Sequence, residues 1–96
     1  MRVSFHPAVQ RDVSAILRYY DGVSSRLGDD FWAELTTCIE RAAQHPERCH
    51  PVDAVRRRVN LPRFPYHFLF RIKPDGIRIM AVRHHKQHPR TGLLRY

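Results

Sequence analysis

At 96 residues, 43% hydrophobic and 27% charged, the chain is sized for one domain over residues 1–96, with enough apolar material to exclude wholesale disorder. No apolar run is long enough to cross a bilayer and the opening MRVSFHP lacks the apolar stretch of a secretion signal, so a soluble, cytoplasmic protein without membrane contact is expected. The net charge of +8 excludes an even surface: residues 1–50 balance at −1 (six Lys/Arg against seven Asp/Glu) and 51–96 at +9 (eleven against two), so the second half presents a basic face that attracts polyanions.

Val3 to Phe5 alternates apolar with polar and reads as a short strand stopped at His6-Pro7. From Pro7, which suits a first-turn position, Val9, Val13, Ile16, Leu17 and Tyr20 recur at helical spacing. Asp21-Gly22 breaks that helix and Ser24 or Ser25 can cap a second, lined on one side by Leu27, Phe31, Leu35, Cys38, Ile39 and Ala42 and ended by Pro46. Two amphipathic helices on so short a connection lie antiparallel and bury both stripes against another layer.

The period then changes to two. Val55 to Leu61 alternates, with Val55, Val59 and Leu61 on one face, Arg56, Arg58 and Asn60 on the other, and Arg57 out of place on the apolar side. Tyr66, Phe68, Phe70 and Ile72 form an unbroken stripe, with His67, Leu69, Arg71 and Lys73 opposite. Lys73-Pro74-Asp75-Gly76 is a turn, after which Ile77, Ile79 and Ala81 are expected inward and Arg78, Met80, Val82 and His84 outward. The expected fold is α+β in the order β-α-α-β-β-β, a two-helix antiparallel hairpin packed on one face of a small, mainly antiparallel sheet whose other face is open.

On the open face the alternation gathers Arg56, Arg58, His67, Arg71, Arg78 and His84, with Leu69, Met80 and Val82 between them. Arg56 and Arg58 emerge on one side about 7 Å apart, which suits a phosphate backbone; a solvated cationic edge that discourages aggregation is the other reading. Apolar anchors among cations also suit the docking of an amphipathic acidic segment. His84, His85 and His88 have no matched cysteine or carboxylate nearby, so no metal and no cofactor are expected. Their imidazoles suit proton transfer, with arginines stabilising charge on a phosphate; alternatively His84 or His85 hydrogen-bonds at a strand end to fix the C-terminal segment.

Cys38 and Cys49 are expected to be reduced thiols, and Trp32 and Tyr19-Tyr20 to serve core or hairpin packing. There is no nucleotide-binding glycine loop, no GxSxG and no HExxH, and Asp53 and Asp75 are isolated, which disfavours most enzyme classes. Lys86 to Tyr96 reads equally as an edge strand or a covering loop, with Arg90, Arg95 and Tyr96 either functional or solubilising.

The ordered set RDVSAILRYY, LGDDFWAELTTCIERAAQHPE, RRRVNLPRFPYHFLFRI and DGIRIMAVRHHKQHP resembles the RelE/ParE superfamily of bacterial toxins over nearly the whole chain. The resemblance implies the toxin of a type II toxin–antitoxin module of the plasmid-stabilisation kind, inhibiting growth until a cognate antitoxin wraps it in a hetero-oligomer. It leaves two targets open. RelE-type members cleave messenger RNA on the ribosome; in that case Arg56 and Arg58 correspond to the basic pair of the first long strand, and His67, His85 and Arg71 form the candidate catalytic set. His67 stands where arginine is usual. ParE-type members poison DNA gyrase by binding, and the helix hairpin with its YY-x3-SSRLGDDF connection resembles theirs. Partner contacts then fall on Arg56, Arg58, Arg78, His84, Leu69, Met80 and Val82. Outside the toxins, the basic face would suit a non-toxic nucleic-acid or protein adaptor.

Overall fold

A computed structural model describes residues 2–87 and 95. Strand β1 (Arg2–Phe5) leads into helices α1 (Ala8–Val23) and α2 (Ser25–Gln44), then a 3-10 turn at Pro46–Arg48 and strands β2 (His50–Pro51), β3 (Arg57–Asn60), β4 (Tyr66–Lys73) and β5 (Gly76–His84). The sheet runs β1-β5-β4-β3-β2, with β1 parallel to β5 and every other pair antiparallel. The expected α+β order is thus present, with β2 added as a two-residue rung outside β3. No described helix is long and apolar enough to cross a membrane.

The helices form on the expected stripes, but Asp21-Gly22 does not break the first: α1 runs through both residues to Val23. Pro7 stands at the N-cap of α1 with helical φ and ψ, and the turn before it is closed by His6, whose Nδ1 accepts the Ala8 N–H at 3.1 Å. Ser24 is extended between the helices and gives α2 no side-chain cap, so its contribution is the break itself. Where α2 crosses the end of α1, Gly28 is buried against Asp21; a Cβ there would meet the Asp21 carboxylate. Phe31, Leu35, Cys38, Ile39, Ala42 and Ala43 of α2 pack with Val9 and Ile16 of α1 onto Phe68, Phe70, Ile77, Ile79 and Val82. Tyr20, Phe31, Phe64 and Tyr66 form an aromatic cluster with centroids 5.1–6.1 Å apart, mostly edge to face. Tyr20 therefore serves packing as expected, whereas Tyr19 is exposed. Ile72, at the far end of its stripe, is also exposed.

Three contacts hold the connections. Glu34 of α2 accepts the backbone N–H of Arg63 at 3.1 Å and of Phe64 at 3.3 Å, and its second oxygen takes Arg63 Nε at 3.1 Å. Arg57, the cation that alternation put on the apolar side, is on that side: its Nη1 donates to the Glu47 and Cys49 carbonyls at 3.1 and 2.7 Å, satisfying the 3-10 turn. Gly76 sits so close to β1 that a Cβ would run into the Arg2 backbone.

One irregularity decides which side chains share a face. Leu69 is opposite Ala81 but Phe70 is opposite Ile79, so Met80 is an extra residue, a β-bulge in β5. Beyond it the alternation of β5 reverses. Ala81 and Arg83 turn to the open face, and Val82 and His84 to the helix face, where Val82 joins the core and His84 meets the Tyr66 ring edge to face at 5.0 Å. The outward placement of Val82 and His84 and the inward placement of Ala81 are therefore corrected. Past the last pair of β1 with β5, at Ile79, two side chains satisfy backbone groups of β5: Asp12 Oδ2 accepts the Val82 N–H at 3.1 Å, Arg95 Nη1 donates to the Met80 carbonyl at 3.2 Å, and Arg95 and Asp12 form an ion pair. Leu69, Met80 and Ala81 make a second, fully buried cluster on the face opposite the helices. Leu69 and Met80 are thus not exposed anchors.

Candidate site on the open face of the sheet

Register brings four side chains together. Arg58 of β3 is opposite Leu69, which places it diagonally beside His67 of β4; His67 is opposite Arg83 of β5, and His85 follows directly after β5. Arg83 Nε donates to His67 Nε2 at 2.7 Å, His67 Nδ1 lies 2.9 Å from His85 Nδ1, and Arg58 Nη2 lies 3.4 Å from the same His85 nitrogen. The two imidazoles are 5.1 Å apart between centroids and 7° from parallel. Arg58 Nε is oriented by the Asn60 side-chain oxygen at 2.8 Å.

The donors fix the tautomers. Arginine Nε always carries a proton, so His67 Nε2 accepts and its proton is on Nδ1. That Nδ1–H donates to His85 Nδ1, which leaves the His85 proton on Nε2. His67 is 2% exposed and its neighbour Arg83 6%. Burial first, then the adjacent Arg58 and Arg83 charges, push His67 down to about 3. Burial and then Arg58 also lower His85, and burial lowers the Arg83 guanidinium. Both imidazoles are neutral at pH 7.

The other sequence-derived candidates lie apart from this cluster. Arg56 precedes β3 and is held in a turn by Asp53, whose Oδ1 accepts the Val55 and Arg56 N–H groups at 2.9 and 2.8 Å and whose Oδ2 pairs with Arg56 Nη1 at 3.2 Å. Those backbone hydrogen bonds and the Arg56 charge hold Asp53 below the usual carboxylate range. Arg71 and Arg78 are directly opposite one another, and neither has an ion-pair partner among the described residues. His84 is a strand-end clasp: its Nδ1 accepts the Lys86 N–H at 2.9 Å and its own N–H donates to Gln87 Oε1 at 2.6 Å. His88, Arg90 and Tyr96 lie outside the described residues. Cys38 and Cys49 are free thiols, and burial raises both. Arg83 is the member that alternation misses, because the bulge turns it outward.

A second feature is an apolar groove of about 520 Å³ between α1, α2 and the end of β1, lined among others by Phe5, Pro7, Val13, Leu17, Trp32 and Leu35. Phe5 and Trp32 are each 51% exposed at its rim, so Trp32 is not core packing as expected.

The sequence profile of the ParE toxin of the type II toxin–antitoxin system parDE matches residues 3–89. The chain belongs to this ParE toxin family. A chromosomal ParDE toxin–antitoxin system from P. aeruginosa shares the fold at a TM-score of 0.75, with 17% identity over 88% of this chain and 95% of that one. No curated protein matches. Membership makes this chain the toxin of a type II module. In this ParE-family chain the cations and locked histidines sit on the sheet face opposite the helices, and the apolar groove lies beside the helices.

Proposed function

We propose that this protein inhibits growth by binding DNA gyrase, without cleaving RNA, and is neutralised by a cognate antitoxin. The observation that carries the reading is the His67–His85 pair. RNA strand cleavage needs a base with a free lone pair within reach of the attacking hydroxyl and an acid ready to give up a proton. His67 has both nitrogens engaged and is buried, and His85 spends its lone pair on His67 and is too weakly basic to be a cation at pH 7. Arg56, the second phosphate-holding cation of the nuclease reading, is already paired with Asp53. What is left is a surface built to bind, in a chain of the ParE family.

The antitoxin seat moves accordingly. With Leu69 and Met80 buried and Val82 turned inward, the concave apolar surface with exposed rings at its rim is the groove at Trp32 and Phe5, next to the outer edge of β1. We place the apolar side chains of the antitoxin there. The deciding experiment adds one purified sample in parallel to a gyrase supercoiling reaction and to translating ribosomes. Supercoiling should be blocked, relieved by antitoxin, and the message left intact; cleaved message with unaffected gyrase overturns the proposal.

A further inference from the structure

Away from the histidine cluster, a cleft of about 310 Å³ lies between the end of α2, the 3-10 turn and β3, lined among others by Cys38, Arg41, His45, Arg48, Cys49 and Asn60. Its size suits a small ligand. Both cysteines of the chain therefore line one cavity. Cys38 is 8% exposed, and its thiol has no hydrogen-bond partner among the described residues. Cys49 is partly exposed, and its Sγ donates only weakly to the His45 carbonyl at 3.9 Å. Arg41, His45 and Arg48 are exposed, and neither arginine has an ion-pair partner among the described residues. No carboxylate lines the cleft; Glu34 and Glu47, the acidic groups acting on Cys38 and Cys49, stand outside its lining. Two full positive charges there exceed the roughly half negative charge of the α2 C-terminus.

We infer that this cleft is a site of reversible S-thiolation, in which Arg41 and Arg48 gather an anionic low-molecular-weight disulfide and Cys49 takes up one half of it. The Cys49 thiolate attacks one sulfur of the reagent. A new S–S bond forms to Cys49, the reagent's own S–S bond breaks, and the departing thiolate takes up the proton that Cys49 released. Cys49 is thereby oxidised to a mixed disulfide and the departing half is reduced to a thiol; a second thiol reverses the step by the same exchange. Burial raises both cysteine thiols, so neither reacts quickly with disulfides in general. What selects a reagent is therefore the charge that concentrates it at the mouth. Access divides the two thiols: Cys49 is the acceptor, while Cys38, deeper in the wall, offers its unused S–H to the bound half and stays reduced. The site does not depend on which macromolecule the toxin attacks.

Reaction of the full chain with two disulfides of opposite charge tests it, followed by intact mass and peptide mapping: glutathione disulfide, which is anionic, and cystamine, which is cationic. Glutathione disulfide should place one glutathionyl group on Cys49, about tenfold faster than cystamine reacts at low salt, and the ratio should approach one in molar salt. Dithiothreitol should remove the adduct, and Cys49→Ser should abolish it. Because the chain as a whole carries +8, variants that each remove one charge separate the cleft from the bulk field. Arg41→Ala and Arg48→Ala should each slow glutathionylation about threefold and leave the cystamine rate unchanged, whereas Arg78→Ala, outside the cleft, should leave both rates unchanged. Equal rates for the two reagents, an adduct on Cys38, or the same slowing by Arg78→Ala as by Arg48→Ala overturns the inference, whatever the gyrase assay returns.

Discussion

His67 shows how one buried side chain can carry stability. Folded, it stays neutral down to about pH 3; unfolded, it takes up a proton near 6.5. Between those values the unfolded chain binds more protons, so this contribution is fully present above pH 6.5 and is lost progressively as pH falls below it. Urea unfolding should lose about 2 kcal/mol between pH 7.5 and 5 from this residue. His67→Leu should remove that part of the acid sensitivity, seen by comparing the two proteins across the same range. The variant also deprives the buried Arg83 Nε of its acceptor, so at pH 7.5 it should itself be destabilised by about 2–3 kcal/mol. Equal acid sensitivity in both proteins would show that His67 titrates normally. The residue types of this cluster were legible in the sequence, since His67, His85 and Arg58 all stand out there. Its geometry was not: an arginine donating to an imidazole that donates to another depends on β4 meeting the end of β5 with the parity a bulge sets.

Among the elements, the strand that sequence reasoning placed best was β4, where Phe68 and Phe70 do face the helices. The one it half misplaced was β5, because a bulge leaves no mark on apolar alternation: Met80, Ala81 and Val82 are all apolar and fit either parity. What identifies the bulge is the β4–β5 register, Leu69 with Ala81 and Phe70 with Ile79; beside it Asp12 and Arg95 satisfy Val82 and Met80. Asp12→Ala should cost about 1–3 kcal/mol and speed hydrogen exchange at the Val82 amide selectively. Two glycines make a sharper contrast. At Gly76 a methyl group meets the Arg2 backbone, so Gly76→Ala should displace β1 and cost several kcal/mol in thermal unfolding. At Gly28 the obstruction is the end of the Asp21 side chain, which can swing away, so Gly28→Ala should be near neutral, helped by up to about 1 kcal/mol of helix propensity. The helices themselves were legible because their stripes are long and Pro46 and Ser24-Ser25 bound them; the Glu34 clasp on Arg63 and Phe64 was not, since nothing local in either segment points to the other.

For the whole molecule, Arg58, Arg71, Arg78 and Arg83 share the sheet face opposite the helices, while exposed Phe5 and Trp32 flank the groove beside the helices. Trp32→Asp should therefore weaken antitoxin binding at least tenfold by calorimetry with little change in thermal stability, because the ring is half exposed. Arg71 and Arg78 repel across the β4–β5 ladder, so Arg78→Glu should leave stability unchanged or raise it by up to about 1 kcal/mol. The same change should lower the salt dependence of any polyanion binding, and a loss of stability would show that the pair is compensated. The pairing of β1 has a consequence in time. Arg2 lies beside Gly76, 74 positions later in the chain, and the intervening helices must be tethered across that span before the outer strand can dock. During synthesis Arg2–Phe5 thus wait, unpaired, for β5 to emerge, and the groove lined by Phe5 and Val82 is finished only after both strands have left the ribosome.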